Sequence, residues 1–272
     1  MIAGSSQPLL LAQSLTGTAS PGFEVASIRP SGAQSARNEE GGPGSKSPTL
    51  YRYDKAALLD LIARAWHVEY FQVLSASPLD HQTFDLTARI PAGATKEQFR
   101  VMLQNLLAER FGLKMHMESR EFPAYELVVE KSGLKLKEAV PGTPPRTAPK
   151  SNTDLAWPEL PPTGSHIAAQ MSSLGGYELD RVVIQMEPLS AFAQLLPRPD
   201  RLPIVDKTGL TGRYSFAIEY TQDPQGSEPD APQPAPDVFT ALKQQLGLEL
   251  IRKKLPFDVV VVESFNKIPT EN

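Results

Sequence analysis

The chain of 272 residues contains no cysteine. That absence removes disulfides, thiolate zinc sites, iron–sulfur clusters and cysteine nucleophiles together. It does not fix the compartment. No run of about 18 apolar residues occurs, so no segment is expected to span a bilayer as a helix. The four histidines, His67, His81, His116 and His166, form neither an HExxH motif nor a close pair. A P-loop, a GxGxxG turn and a GxSxG nucleophile elbow are missing too. Basic excess is also lacking: the net charge is −4, the wrong sign for a dedicated nucleic-acid binder.

What the chain has in excess is proline, 26 in all, and the prolines cluster. They mark three extended segments: Arg29 to Pro48, Ala139 to Gly164, and the acidic stretch Thr221 to Asp237. The first is expected to be a flexible loop and the second a linker. None has the apolar spacing to contribute much core. Residues 1–22 hold a short apolar run, Pro8 to Ala12, followed by a Ser/Thr/Gly tail. This resembles the end of a secretory signal without its cationic start, and Ser14 to Pro21 are expected to be disordered. A periplasmic or extracellular location is the expectation.

An internal duplication organises the remainder. "QNLLAERFGLKMHMESREFPAYELVVEK", from Gln104, matches "FTALKQQLGLELIRKKLPFDVVVVESFNK", from Phe239. Each stretch predicts a helix stopped by glycine, then two strands, the second opened by proline. "QTFDLTARIP" (Gln82 to Pro91) matches "GRYSFAIEYT" (Gly212 to Thr221), and "ALLDLIARAW" (Ala57 to Trp66) matches "PLSAFAQLL" (Pro188 to Leu196). Early strands are expected at Phe23 to Arg29 and Ser165 to Met171. The fold class is α+β: two tandem repeats of strand-helix-strand-helix-strand-strand, residues 23–138 and 165–269, joined by linker 139–164, with mostly antiparallel sheets.

Physical detail supports the helices. Thr95 and Gln98 make a capping-box pair. Phe99, Met102, Leu103, Leu106, Leu107 and Phe111 fall on one face, and Gly112 occupies the position where a left-handed residue stops a helix. In the second copy Asp237 is the expected N-cap, Val238, Leu242 and Leu246 the buried stripe, and Gly247 the stop.

Few residues point to chemistry. "VDKTGLTG" contains the DKTG of phosphorylated ATPases, but Leu210 breaks the motif, and strand-like "LPIVD" and "RYSFAIEY" flank it. Asp206 is therefore read as a turn residue. His116 and Glu118 share one strand face, which is more consistent with a solvated face than with a metal site. "AWHVEYFQ" groups Trp66, His67, Tyr70 and Phe71 at a helix exit; these form the candidate binding platform, against the blander reading of a helix end packing on a sheet. No catalytic residue, metal or cofactor is expected.

"FEVASIRPS", "LLAERFGLKMHMESREFPAYELVV", "VDKTGLTGRYSF" and "LGLELIRKKLPFDVVVVES" together resemble the soil-associated protein family of acidobacteria and relatives. The resemblance covers Phe23 to about Pro269. It implies an exported domain of unknown function, with some members fused to antirepressor-type membrane metallopeptidases, and it supplies no catalytic residues. The expectation is an exported binding or interaction module, possible partners being a small molecule or an envelope protein. The alternatives are a hydrolase with a site between the repeats and a self-associating envelope structural protein.

Overall fold

The computed structural model describes residues 20–33, 36–140, 151, 153–161, 163–174, 176–222 and 234–270. Most of the expected signal remnant, residues 141–150 of the 139–164 segment and most of the acidic proline-rich stretch lie outside the described residues. The chain divides into two compact units, Met1–Arg120 with Phe257–Asn272, and Glu121–Pro256.

In unit 1, four strands form an antiparallel sheet: β1 (Val25–Pro30), β2 (Asn38–Gly41), β3 (Leu50–Ala57) and β5 (Thr83–Arg89), in the order β1-β5-β3-β2. Tyr51 and Tyr53 of β3 and Phe84, Leu86 and Ala88 of β5 are buried at every second position, the period of a strand with one face on a core. Helices α1 (Leu58–Trp66) and α2 (Lys96–Phe111) pack together and supply Leu61, Ile62, Leu103, Leu107 and Phe111 to that core. The α2 cap is reciprocal: Gln98 N donates to Thr95 Oγ1 (3.1 Å) and Thr95 N to Gln98 Oε1 (2.9 Å). All six residues of the expected apolar stripe are the buried residues of α2, and Gly112 ends the helix at φ 54°. The short strand β4 (Val73–Ser75) pairs parallel with Val260 to Val262 of β11 (Leu248–Ser264), and Val260 and Val262 join the same core.

In unit 2, β7 (His166–Leu174), β8 (Tyr177–Glu187) and β10 (Tyr214–Gln222) form an antiparallel sheet in the order β10-β8-β7. Its core joins Val182 and Ile184 of β8, Phe216 and Ile218 of β10, Phe192 of α3 (Leu189–Leu195) and the helical segment that follows Asp237. That segment is one α turn, α4 (Val238–Ala241), continued by a π turn from Leu242 to Leu246. Asp237 accepts hydrogen bonds from Phe239 N and Thr240 N, while Val238, Leu242 and Leu246 are buried and Gly247 takes φ 70°. The three-residue strand β9 (Ile204–Asp206) pairs parallel with Tyr125 to Leu127 of β6 (Lys114–Val129).

Three expectations are corrected. The two strands expected after each stop glycine are one continuous strand, β6 of 16 residues and β11 of 17. Pro123 and Pro256 lie inside them, both exposed. Proline's fixed φ is compatible with extended backbone, so it breaks a strand only where its missing N–H is needed. The boundaries of the two units fall inside these strands, at Arg120/Glu121 and Pro256/Phe257. The supposed flexible loop Arg29 to Pro48 contains β2, an edge strand whose polar sequence Asn-Glu-Glu-Gly gave no apolar alternation. Strands β3 and β8 were not anticipated. Described residues of the 139–164 segment are tied down as well: Ser151 and Thr153 contact Arg181 of β8.

Candidate functional site

The four platform residues leave one helix end in different directions. Trp66 is the last residue of α1 and is half-buried. It lines a shallow cavity of about 450 Å³ in unit 1 with Gln104, Asn105, Leu113, Met115 and Glu263. His67 follows at φ 55°, the left-handed residue that ends α1, and its ring is exposed. Its local role is therefore that of a helix stop. Tyr70 is 53 % exposed, and its hydroxyl turns back to donate to Asp60 Oδ1 at 2.7 Å. The Phe71 ring packs edge-on against Phe257, centroids 5.1 Å apart. Trp66 alone of the four lines the cavity.

The cavity has a definite polar character. Gln104 uses its amide nitrogen on Ala65 O (3.0 Å), and Asn105 uses its own on Ser20 Oγ (2.8 Å) and Pro21 O (2.7 Å). Among the described residues, neither side-chain carbonyl oxygen accepts a hydrogen bond. Gln104, Asn105 and the Glu263 carboxylate thus share the cavity lining with the indole. Glu263 Oε1 also lies 2.8 Å from His116 Nδ1, and Glu118 lies 3.5 Å from His116 Nε2. The hydrogen bond to Glu263 is the main reason that the exposed His116 is raised from its ordinary pKa. Glu118 is lowered, chiefly by its hydrogen bond from Arg120. Among the described residues, no three His, Asp or Glu side chains are grouped to hold a metal ion.

A second polar constellation surrounds the buried Asp60 in the first turn of α1. Asp60 Oδ2 accepts from Ala57 N (2.8 Å), and Oδ1 accepts from Tyr70 and from Arg37 Nη2 (2.8 Å). The same Arg37 nitrogen reaches Tyr53 Oη (2.8 Å) and Tyr70 Oη (3.3 Å). Beside it, Glu39 accepts from Tyr51 Oη (2.9 Å) and pairs with Arg64. Hydrogen bonds to Tyr53 and Tyr70 hold the Arg37 pKa above its ordinary value. Burial, reinforced by Glu39, pushes the Tyr51 phenol up, and the hydrogen bond to Asp60 does the same for Tyr70. At neutral pH these phenols are donors and Arg37 is a fixed cation. Its Nε and Nη1 have no partner among the described residues.

Asp206 closes a local turn rather than a site. Its Oδ1 accepts from Thr208 N (3.0 Å) and Thr208 Oγ1 (2.8 Å), and the Thr208 hydroxyl accepts from Leu210 N (3.2 Å).

Sequence reasoning missed Arg37, Asp60 and Arg181. Asp60 carried a usable signal: a carboxylate inside the apolar run "ALLDLIA" must find partners if its helix face is buried. Arg181, alone among apolar residues in "RVVI", carried the same one. Arg37 had none, because its contacts come from distant elements.

The profile of DUF3738, a protein family of unknown function, matches residues 59–265, and the chain belongs to that family. A search of curated proteins finds no match. A search of solved structures finds none either. Among the described residues no helix is long and apolar enough to cross a membrane.

Proposed function

We propose that this member of the DUF3738 family is an exported binding module whose ligand occupies the cavity beside Trp66. The observation that carries this reading is the cavity itself: about 450 Å³, open, lined by a half-buried indole and by two amides whose oxygens have no donor among the described residues. An indole face offers stacking area at little entropic cost, and the free acceptors favour a ligand with N–H or O–H groups along one edge. The ligand class is therefore a small molecule with a flat apolar body and a donor-rich edge. Lys114 and Glu263 at the margin would orient any charged group.

Export to the periplasm or the extracellular space is part of the proposal. It is supported by the signal-like N-terminal composition and by the resemblance to exported soil-associated proteins. A role beside an envelope sensor is the finer reading that the resemblance implies. Immunodetection in fractionated producing cells tests the location, and a signal confined to the cytoplasm contradicts it.

The binding test uses the two tryptophans. Trp157→Phe leaves Trp66 as the sole indole, so its fluorescence reports the cavity directly. Titration with the small-molecule fraction of the producing culture is expected to change that emission saturably. A flat response across fractions contradicts the proposal.

A further inference from the structure

Among the described residues, the edge strands β1, β2, β4, β9 and β10 are each protected. In β1, Arg29 and Pro30 close the exposed edge, and β2 is four residues long with two glutamates. Strands β4 and β9 are three residues each. The free side of β10 is occupied: Gln245 bonds both the N–H and the C=O of Glu219, at 3.1 and 2.7 Å, and bridges to Glu138 and Asp237 cover Tyr214 and Thr221. These are the ordinary means by which proteins blunt edges: charge, proline, brevity or cover.

Among the described residues, strand β7 has none of them. It is nine residues long, pairs with β8 on one side only, and has no other strand partner among the described residues. From Ile167 to Leu174 it contains no charge and no proline.

The apolar face of its sheet also continues onto it. Ile167 lies opposite Ile184 and Ala169 opposite Val182, and both β8 residues belong to the core of unit 2. Across this one strand boundary burial ends: Ile167 is 38 % exposed and Met171 65 %. Cross-strand neighbours share a face, so Ile167, Ala169 and Met171 extend the core beyond its cover.

We infer that the free edge of β7 is a homodimer interface, at which a second copy of this chain adds its own β7 antiparallel about a twofold axis. The strand is complementary to itself in one register. With the axis on Ala169, Ile167 of each copy faces Met171 of the other on the exposed side, and Ala168 faces Gln170 on the other side. No like charges are opposed anywhere along the pair. An isologous contact of this kind closes after two copies and leaves no free edge. This interface lies in unit 2 alone and is independent of the Trp66 cavity.

The absence of cysteine makes the test clean. Ala169→Cys places the new thiol on the axis, where directly opposed residues come within disulfide reach, and oxidation is expected to give covalent dimer. Ser173→Cys lies eight residues from its symmetry mate, about 27 Å along the strand, and is expected to stay uncrosslinked. Sedimentation velocity of the full chain is expected to show a concentration-dependent dimer. Met171→Lys, at an exposed position, should weaken that dimer at least tenfold without lowering Tm. A chain that is monomeric at about 100 μM, where a micromolar dimer is formed, overturns the inference and leaves the edge to an extended segment of another protein. A dimer that survives Met171→Lys, or equal crosslinking of the two cysteine variants, also overturns it.

Discussion

Arg181 and Glu219 form an ion pair inside unit 2, Nε to Oε2 2.6 Å, with side chains only 2 % and 6 % exposed. The remaining Arg181 donors are also occupied. Nη1 reaches the carbonyls of Leu155 and Ala156, Nη2 reaches Ser151 Oγ (2.7 Å) and Thr153 Oγ1 (2.6 Å), and Trp157 stacks over the guanidinium at 5.0 Å. One buried cation thus organises a segment whose composition suggested only a linker.

Removing one partner of this pair strands the other in the interior. Arg181→Met is expected to destabilise unit 2 by about 3–5 kcal/mol, whereas Arg181→Met combined with Glu219→Met recovers much of that loss. Urea unfolding followed by Trp157 fluorescence, in a Trp66→Phe background, reads both values. Equal stability of the single variant and the parent contradicts the assignment.

The two stop glycines differ in what surrounds them. A Cβ on Gly247 would meet Gly133 O at 2.3 Å and Lys135 N at 2.8 Å, both backbone atoms, whereas one on Gly112 would meet the Asn266 side chain at 3.0 Å. Both residues have positive φ, so alanine carries a strain of roughly 1 kcal/mol at either position. Only Gly247→Ala must also displace backbone, and it is expected to lower Tm clearly more than Gly112→Ala. Equal shifts in thermal melts would contradict the close approach.

His116 carries the pH prediction. Its pKa is raised in the folded chain, first by the hydrogen bond to Glu263. A raised histidine contributes stability that is fully present below its unfolded value of about 6.5 and is lost as pH rises through the folded value. NMR titration should place His116 above that unfolded value, and Glu263→Gln should bring it down. An unshifted His116 in the parent chain contradicts the pairing.

The elements legible in the sequence were those whose own residues determine them. The α2 stripe from Phe99 to Phe111, the Thr95/Gln98 cap, the Asp237 cap and the glycine stops are local, and the α+β class with mainly antiparallel pairing follows from them. Strand β8 was hidden because it is buried on both faces, so Arg181 and Gln185 sit where alternation would place apolar residues or solvent. The length of β6 and β11 was hidden because Pro123 and Pro256 looked like strand openings. At the candidate site, Trp66, His67, Tyr70 and Phe71 were visible as a cluster in sequence. Their divergence was not, because it depends on where α1 stops at His67 and on Asp60 drawing back Tyr70. The duplication remains a proposal, drawn from the sequence matches quoted above.

The central claim is that the Trp66 cavity holds a ligand, and native mass spectrometry of the chain isolated from its producing cells tests it most directly. A species of defined mass is expected on the parent chain and is expected to be lost from Trp66→Ala of unchanged Tm. A bare chain at its sequence mass, or a species retained equally by both proteins, would contradict it.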